Sequence, residues 1–281
     1  MFKNFLPLFG MLLLAVTCCN KATAQYFYKD IWNPQQLIKE MTILKNEKIR
    51  AISVKSFEDN GEPSDGFFCE KKIDKDYSTS ETMTRSLVTS QSLLATHFNS
   101  KGLITQTTDS SESSLSRTEY FYNNDDKISV VKTFTKADDD AGGIEETHSY
   151  SYNAGGALEK MVREKNTVEV STVNFKVDEK GNVIEEEERF KNGISKKYFY
   201  YYDDKNRLTD IVHYNDRAKR LLPDYMYEYN SIGQIKQMIS IEEGSGYYIW
   251  KYTYNDKGLR ETEKCLSKER KLLGSIQYLY R

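Results

Sequence analysis

From Phe98 onward, aromatic residues fall at alternate positions in one run after another: Tyr120/Tyr122, Tyr150/Tyr152, Tyr200/Tyr202, Tyr227/Tyr229 and Tyr252/Tyr254. A period of two places one set of side chains on each face of a β-strand. Each run ends in the same phrase, clearest as Tyr229-Asn230-Ser231-Ile232-Gly233-Gln234-Ile235. Asn230 suits the first position of a type I turn, because its short side chain can bond the backbone two residues on. Gly233 suits the left-handed position that follows, where a Cβ would clash. Together they predict a three-residue hairpin loop with a bulge, which sets Tyr229 opposite Ile235 on two antiparallel strands.

The phrase recurs seven times. Its aromatic position holds Phe98, Tyr122, Tyr152, Val177, Tyr202, Tyr229 and Tyr254, and its turn position Gly102, Asp126, Gly156, Gly181, Asn206, Gly233 and Gly258. The aliphatic position holds Ile104, Ile128, Leu158, Val183, Leu208 and Ile235, but Arg260 in the last copy. The spacing from Phe98 to Tyr254 averages 26 residues, and one further period reaches Tyr280 beside the final Arg281. A period of this size means stacked supersecondary units. The expected ending is the first strand of an eighth copy, paired onto the seventh hairpin.

Charged residues make up 29% of the chain, and many outgoing strands carry them, as in Val183 to Phe190. That leaves too little apolar surface for a packed sandwich. The fold expected is therefore all-β: tandem hairpin repeats in a long, twisted antiparallel meander, a β-strip whose tyrosine face curls on itself. The rings then form a structural ladder, with one face half wet, which suits tyrosine.

Upstream of the array the pattern is blurred. Met1 to Ala24 reads as an export signal, with Lys3, an apolar run from Phe5 to Val16 and a small-x-small site at Ala22-Thr23-Ala24. Cys18 and Cys19 offer lipidation as a second route, but Ala15-Val16-Thr17 is a poor match to a lipoprotein box; simple export to the periplasm or beyond, with mature Gln25, is favoured. Residues 25–95 are expected to hold a cap and degenerate repeats, and residues 96–281 the array. Asn33 and Pro34 predict a helix of about two turns that covers the first strand edge.

Removing Lys3 and Lys21 takes the formal charge from −2 to −4, which argues against nucleic acid as a partner. The apolar run at the start is too short for a membrane span. Cys69 and Cys265, the thiols of the mature chain, read as semi-buried strand residues at opposite ends of the array.

Catalytic and metal motifs are absent by this reading, and no cofactor is implied. Gly244-Ser245-Gly246 lacks the setting of a hydrolase elbow. His97, His148 and His213 lie in different copies. Asp74, Asp76 and Ser78 have calcium-loop spacing, but Thr79 and Arg85 stand where such a loop needs Gly and Glu. Asp138 to Asp140 read as a charged loop tip in preference to a calcium site. Glu185 to Glu188 alternate between faces, and a solvated strand accounts for them.

The phrase Tyr202-Asp203-Asp204-Lys205-Asn206-Arg207-Leu208 resembles the YD repeats of the Rhs and Tc-toxin shell proteins, whose pattern is Tyr-Asp-x-x-Gly-Arg-Leu. The resemblance covers about Thr96 to Arg281. It implies a spiralling β-strip that encloses a cavity. The chain departs from that family in having no core segment or C-terminal toxin, and too few repeats to close a large shell. The function expected is a non-enzymatic binding or scaffold module at the cell envelope, with a protein or glycan partner; the alternative is a glycan-binding adhesin or glycan-active enzyme using tyrosines and acidic loops.

Overall fold

The structure is a computed structural model that describes residues 26–87, 89–138, 142–242 and 246–281. The export signal, Cys18 and Cys19, most of the Asp138–Asp140 tip and the first two residues of Gly244-Ser245-Gly246 lie outside them. One helix, α1 (Lys29–Asn46), precedes eighteen strands. These begin with β1 (Ala51–Glu58), β2 (Phe68–Ile73), β3 (Thr79–Arg85), β4 (Ser92–Phe98), β5 (Ile104–Ser111) and β6 (Ser114–Tyr122). Next come β7 (Ile128–Ala137), β8 (Ile144–Tyr152), β9 (Leu158–Lys165), β10 (Val168–Val177), β11 (Val183–Phe190) and β12 (Ser195–Tyr202). The last six are β13 (Leu208–Asn215), β14 (Arg220–Tyr229), β15 (Ile235–Glu242), β16 (Gly246–Tyr254), β17 (Arg260–Leu266) and β18 (Leu272–Tyr280).

Each strand pairs antiparallel with the next, and β18 pairs with β1 through seven residue pairs, from Ile52–Tyr280 to Glu58–Gly274. The sheet is thus a closed barrel. This corrects the open, curled strip expected from the repeats. Closure leaves no strand edge to cover, and it joins β1–β4, from the blurred stretch, to the repeat strands in one ring.

Each phrase builds one end of a hairpin. Asn230 N–H donates to the Gln234 carbonyl at 2.8 Å, Gly233 N–H to the Asn230 carbonyl at 3.1 Å, and the Asn230 side chain accepts from Ile232 and Gln234. Gly233 has φ +90°, which a β-branched side chain does not tolerate. Tyr229 pairs with Ile235 across a register shift, a bulge repeated beside Phe98, Tyr122, Tyr152, Val177, Tyr202 and Tyr254.

The phrase tyrosines have a second task. Tyr122 donates its hydroxyl to the Ile104 carbonyl at 2.8 Å, and Tyr152 to Ile128 at 2.7 Å. Tyr202 does the same to Val183, Tyr229 to Leu208, Tyr254 to Ile235 and Tyr280 to Arg260, at 2.6 to 2.9 Å. Every acceptor is the aliphatic position of the copy before it, or Arg260 in its place. The ladder is therefore a girdle of inward-facing rings that ties each hairpin carrying a phrase tyrosine to its predecessor; Val177 leaves the fourth copy without this bond.

Helix α1 has eighteen residues, longer than the two turns expected, and Pro34 lies buried inside it. The helix starts early because Glu186 on β11 accepts the N–H groups of Phe27 and Tyr28 at 2.7 and 2.9 Å, which satisfies donors that a helix start leaves free. It does not cap an edge; it runs across the bore. Tyr26, Phe27, Ile31 and Trp32 pack among tyrosines of β8, β12 and β14, while Leu37, Met41 and Leu44 pack on Ile52, Cys69, Ile73, Phe98 and Ile104. Leu37, Met41 and Leu44 fall at helical spacing on one side, and the opposite stripe of Gln35, Lys39, Thr42 and Asn46 is exposed. Glu47 pairs with Lys257, in the last phrase turn, at 3.0 Å. The helix therefore lies across the barrel end that carries the phrase turns.

Candidate functional site

Eighteen strands about 4.8 Å apart make a round ring roughly 27 Å across from backbone to backbone, and α1 and the inward side chains pack inside it as two clusters. Glu40, on α1 at the barrel end, pairs with Lys71 at 3.1 Å and keeps 46% of its side chain exposed. One arc of the inner wall is a belt of hydroxyls formed by strand register. Ser80, Thr96, Thr107, Thr118 and Thr133 face one another in turn across β3 to β7, and Thr133 faces Glu146 on β8. Thr118 and Thr133 bond at 3.0 Å, and Thr107, Thr118 and Thr133 are half-buried. On the same arc Asp109 is half-buried, and loss of water pushes its carboxyl above the usual range.

Beside the belt lies a charged network that latches the start of α1. His148 Nδ1 meets Asp30 at 2.6 Å and its Nε2 meets Glu146 at 2.8 Å. Arg163 donates to both oxygens of Glu146, at 3.0 and 2.9 Å, and lies 3.5 Å from Glu188, which also accepts from Ser171 at 2.6 Å. Burial works against the charge on His148, but the two carboxylates outweigh it and raise its pKa to about 9. Burial likewise opposes the Glu146 charge, yet His148 and Arg163 hold it at about 2. Glu186 is fully buried and accepts from Tyr200 at 2.7 Å besides the two N–H groups; loss of water dominates and pushes it up to about 7.

This network holds charge in place; it is not set up to move protons. An imidazolium with both nitrogens engaged by carboxylates has no lone pair for a proton or a metal. The other histidines lie elsewhere: His97 faces outward and bonds Thr79 at 3.3 Å, and His213 meets Asp224 at 2.9 Å. The structure does not bring the three together. Asp74 bonds its own turn through Ser78, and no metal-binding group of three acids, thiols or histidines occurs among the described residues. Cys69 and Cys265 are buried on β2 and β17 and not joined to each other.

Two corrections concern the acidic run. Glu185 and Glu187 do face out, in ion pairs with Lys176, Lys197 and Arg189, but Glu186 and Glu188 are buried rather than solvated. Simple alternation counted from Val183 puts Glu186 and Glu188 on the opposite face; the register shift that skips Ile184 turns them inward, where Glu186 lies across from Tyr198. Asp30, Arg163 and Ser171 carried no mark in the sequence.

Of the repeat residues, Phe98 is buried beneath the C-terminal half of α1, and the girdle places Tyr122, Tyr152, Tyr202, Tyr229, Tyr254 and Tyr280 inside the ring. The turn residues Gly102, Gly156, Gly181, Asn206, Gly233 and Gly258 all take positive φ at the end the helix covers. On the outer wall, a concavity of about 390 Å³ lies over β14–β17, lined by Met226, Ile239, Ile249 and Leu266 among others.

No family model matches the chain, and no curated protein matches it. Among solved structures it is similar to a porin-like protein from Bacteroides uniformis, at 12% identity over 83% of this chain and 98% of that one, with a TM-score of 0.42. A porin-like protein from Bacteroides vulgatus aligns at 11% identity over 83% and 98%, TM-score 0.27. The Photorhabdus luminescens Tc holotoxin pore aligns at 10% identity over 84% of this chain but 17% of that one, TM-score 0.22. At such scores function has to be argued from the chain's own residues.

Proposed function

We propose that the protein is an exported, non-enzymatic barrel that serves as a binding module at the bacterial cell envelope and takes its ligand into the lumen beside α1. The observation that carries this is the inner wall, where tyrosines and the half-buried hydroxyls of Thr107, Thr118 and Thr133 face the interior. Concave sites with aromatic walls and a few convergent polar groups are the usual form of a ligand site. The outer wall supports a protein surrounded by water. No helix among the described residues is long and apolar enough to cross a membrane, a statement that does not extend to strands. For the strands, the test is the outward face, and there Lys176, Glu185, Lys197 and Glu187 form paired charges across β10–β12. A membrane barrel needs an apolar band at that height, and each Lys or Arg at mid-bilayer costs about 2–4 kcal/mol.

The test is a thermal-shift screen of the exported protein against envelope polysaccharides, with pull-down from envelope extract as the second arm. A saturable shift without cleavage supports luminal binding. Cleavage of a bound glycan overturns the non-enzymatic reading.

A further inference from the structure

In six of seven copies the position after the turn holds an aliphatic residue, and five of these, from Ile104 to Leu208, are buried. The seventh is Arg260. Its guanidinium lies 4.5 Å over the ring of Tyr252 and donates to Glu263 at 2.6 Å, yet 37% of the side chain stays exposed. Across the β18–β1 seam stand Lys71 and Glu40, paired at 3.1 Å, with 46% of the Glu40 side chain exposed. Tyr278 donates to the same oxygen of Glu263 and stacks near Tyr280, ring centroids 6.4 Å apart. Barrel closure alone assembles this cluster, since its residues come from α1, β2, β16, β17 and β18.

We propose that Arg260 and these neighbours form a luminal subsite for a neutral oligosaccharide, an inference that rests on the binding reading above. Three features select that class. The charges cancel, with Arg260 and Lys71 against Glu40 and Glu263, so neither an anion nor a cation gains from the field as a whole. The fixed donors and acceptors lie close together: a guanidinium has five N–H donors in a rigid fork, and only some are taken by Glu263 and Tyr254. The tyrosine rings offer flat apolar faces with polar tips, which fit a sugar's C–H face and its hydroxyls. The arginine neutralises the buried Glu263 through one N–H, and with 37% of its side chain exposed it keeps further donors for a ligand. The hydroxyl belt is buried where it begins, at Ser80 and Thr96, and reaches a ligand only further round, at the half-buried Thr107, Thr118 and Thr133.

The test is calorimetric titration of the exported protein with neutral laminari-, cello-, malto-, xylo- and chito-oligosaccharides, with oligogalacturonate and heparin fragments as charged counterparts. Arg260→Leu restores the repeat's own residue but leaves the buried Glu263 without its cation and is expected to lower the melting temperature, while Arg260→Lys keeps the charge and the fold and loses the fork. At least one neutral oligosaccharide should saturate wild type, and both variants should weaken it by about tenfold or more, the scale of a lost charge-assisted bond. A neutral sugar bound equally by Arg260→Leu overturns the subsite and leaves luminal binding standing. Binding only to the charged fragments, or to no oligosaccharide, overturns the inference, and the pull-down then decides the broader reading on its own.

Discussion

Glu186 makes the attachment of α1 depend on pH, and the sign can be worked out. The folded state holds its carboxyl at about 7, against an ordinary value of 4.5. Between these values the unfolded chain loses its proton while the folded chain keeps it, so stability falls as pH rises. The shift corresponds to roughly 3 kcal/mol, fully present below pH 4.5 and gone above pH 7. His148 acts in the same direction over a higher range: raised to about 9, it contributes stability that is complete below 6.5 and lost as pH climbs through 9. Glu146, held near 2, works the other way and adds stability that is present above pH 4.5 and lost toward pH 2. The three together place the optimum of this region at mildly acidic pH. The assay is denaturant unfolding from pH 3 to 10 of wild type and Glu186→Gln, with Trp32 fluorescence as a local probe, since Trp32 packs on Tyr227 inside the ring. The difference between the two proteins isolates Glu186 from the other carboxylates. It should slope by about 3 kcal/mol between pH 4.5 and 7 and be flat above. A difference that stays constant across that interval would refute the account of a buried, proton-holding Glu186.

Other predictions follow from the same contacts. Tyr229→Phe removes a half-buried hydroxyl bond to Leu208 and should cost about 1 kcal/mol, whereas Tyr201→Phe on the exposed face should cost almost nothing; equal melting temperatures would remove the girdle's role. Gly233→Val should destabilise far more than Ser231→Val, because the glycine site has φ +90°; this is read by the same melts. Leu44→Ala, at a fully buried site beneath the barrel end, should cost about 2–5 kcal/mol in denaturant unfolding.

Local structure was legible in the sequence because it is set by neighbours. A tyrosine and an aliphatic one short turn apart, with Asn and Gly between, encode their own hairpin, and seven copies repeat the message. What the copies cannot state is how the two ends of the array meet. An open strip and a closed ring have the same hairpins, the same alternation and the same turns. Closure is decided by β1, whose partners in β18 lie more than two hundred residues away, and β1 belongs to the blurred stretch where no phrase occurs. The helix was under-read for the same reason. Its start is fixed by Glu186, a distant carboxylate, while the local signal of Asn33 and Pro34 pointed to a later and shorter helix.

The same division applies to the site. The register shift at Ile184, not alternation from Val183, puts Glu186 and Glu188 on the tyrosine face, and charge read as solvent exposure hid them, since a buried acid is credible only once its donors are known. Phe27, Tyr28, Tyr200 and Ser171 supply those donors, and none is near in sequence except through the fold. Arg260 is the exception, because the repeat pattern itself breaks there. A repeat makes each position its own control: where six copies agree and one departs toward charge, the departure costs desolvation that the other copies avoid. A residue kept at that cost neutralises the buried Glu263 and, with 37% of its side chain exposed, has donors left over for something other than the barrel. That is why the search for a ligand begins at the seam and not along the regular rungs.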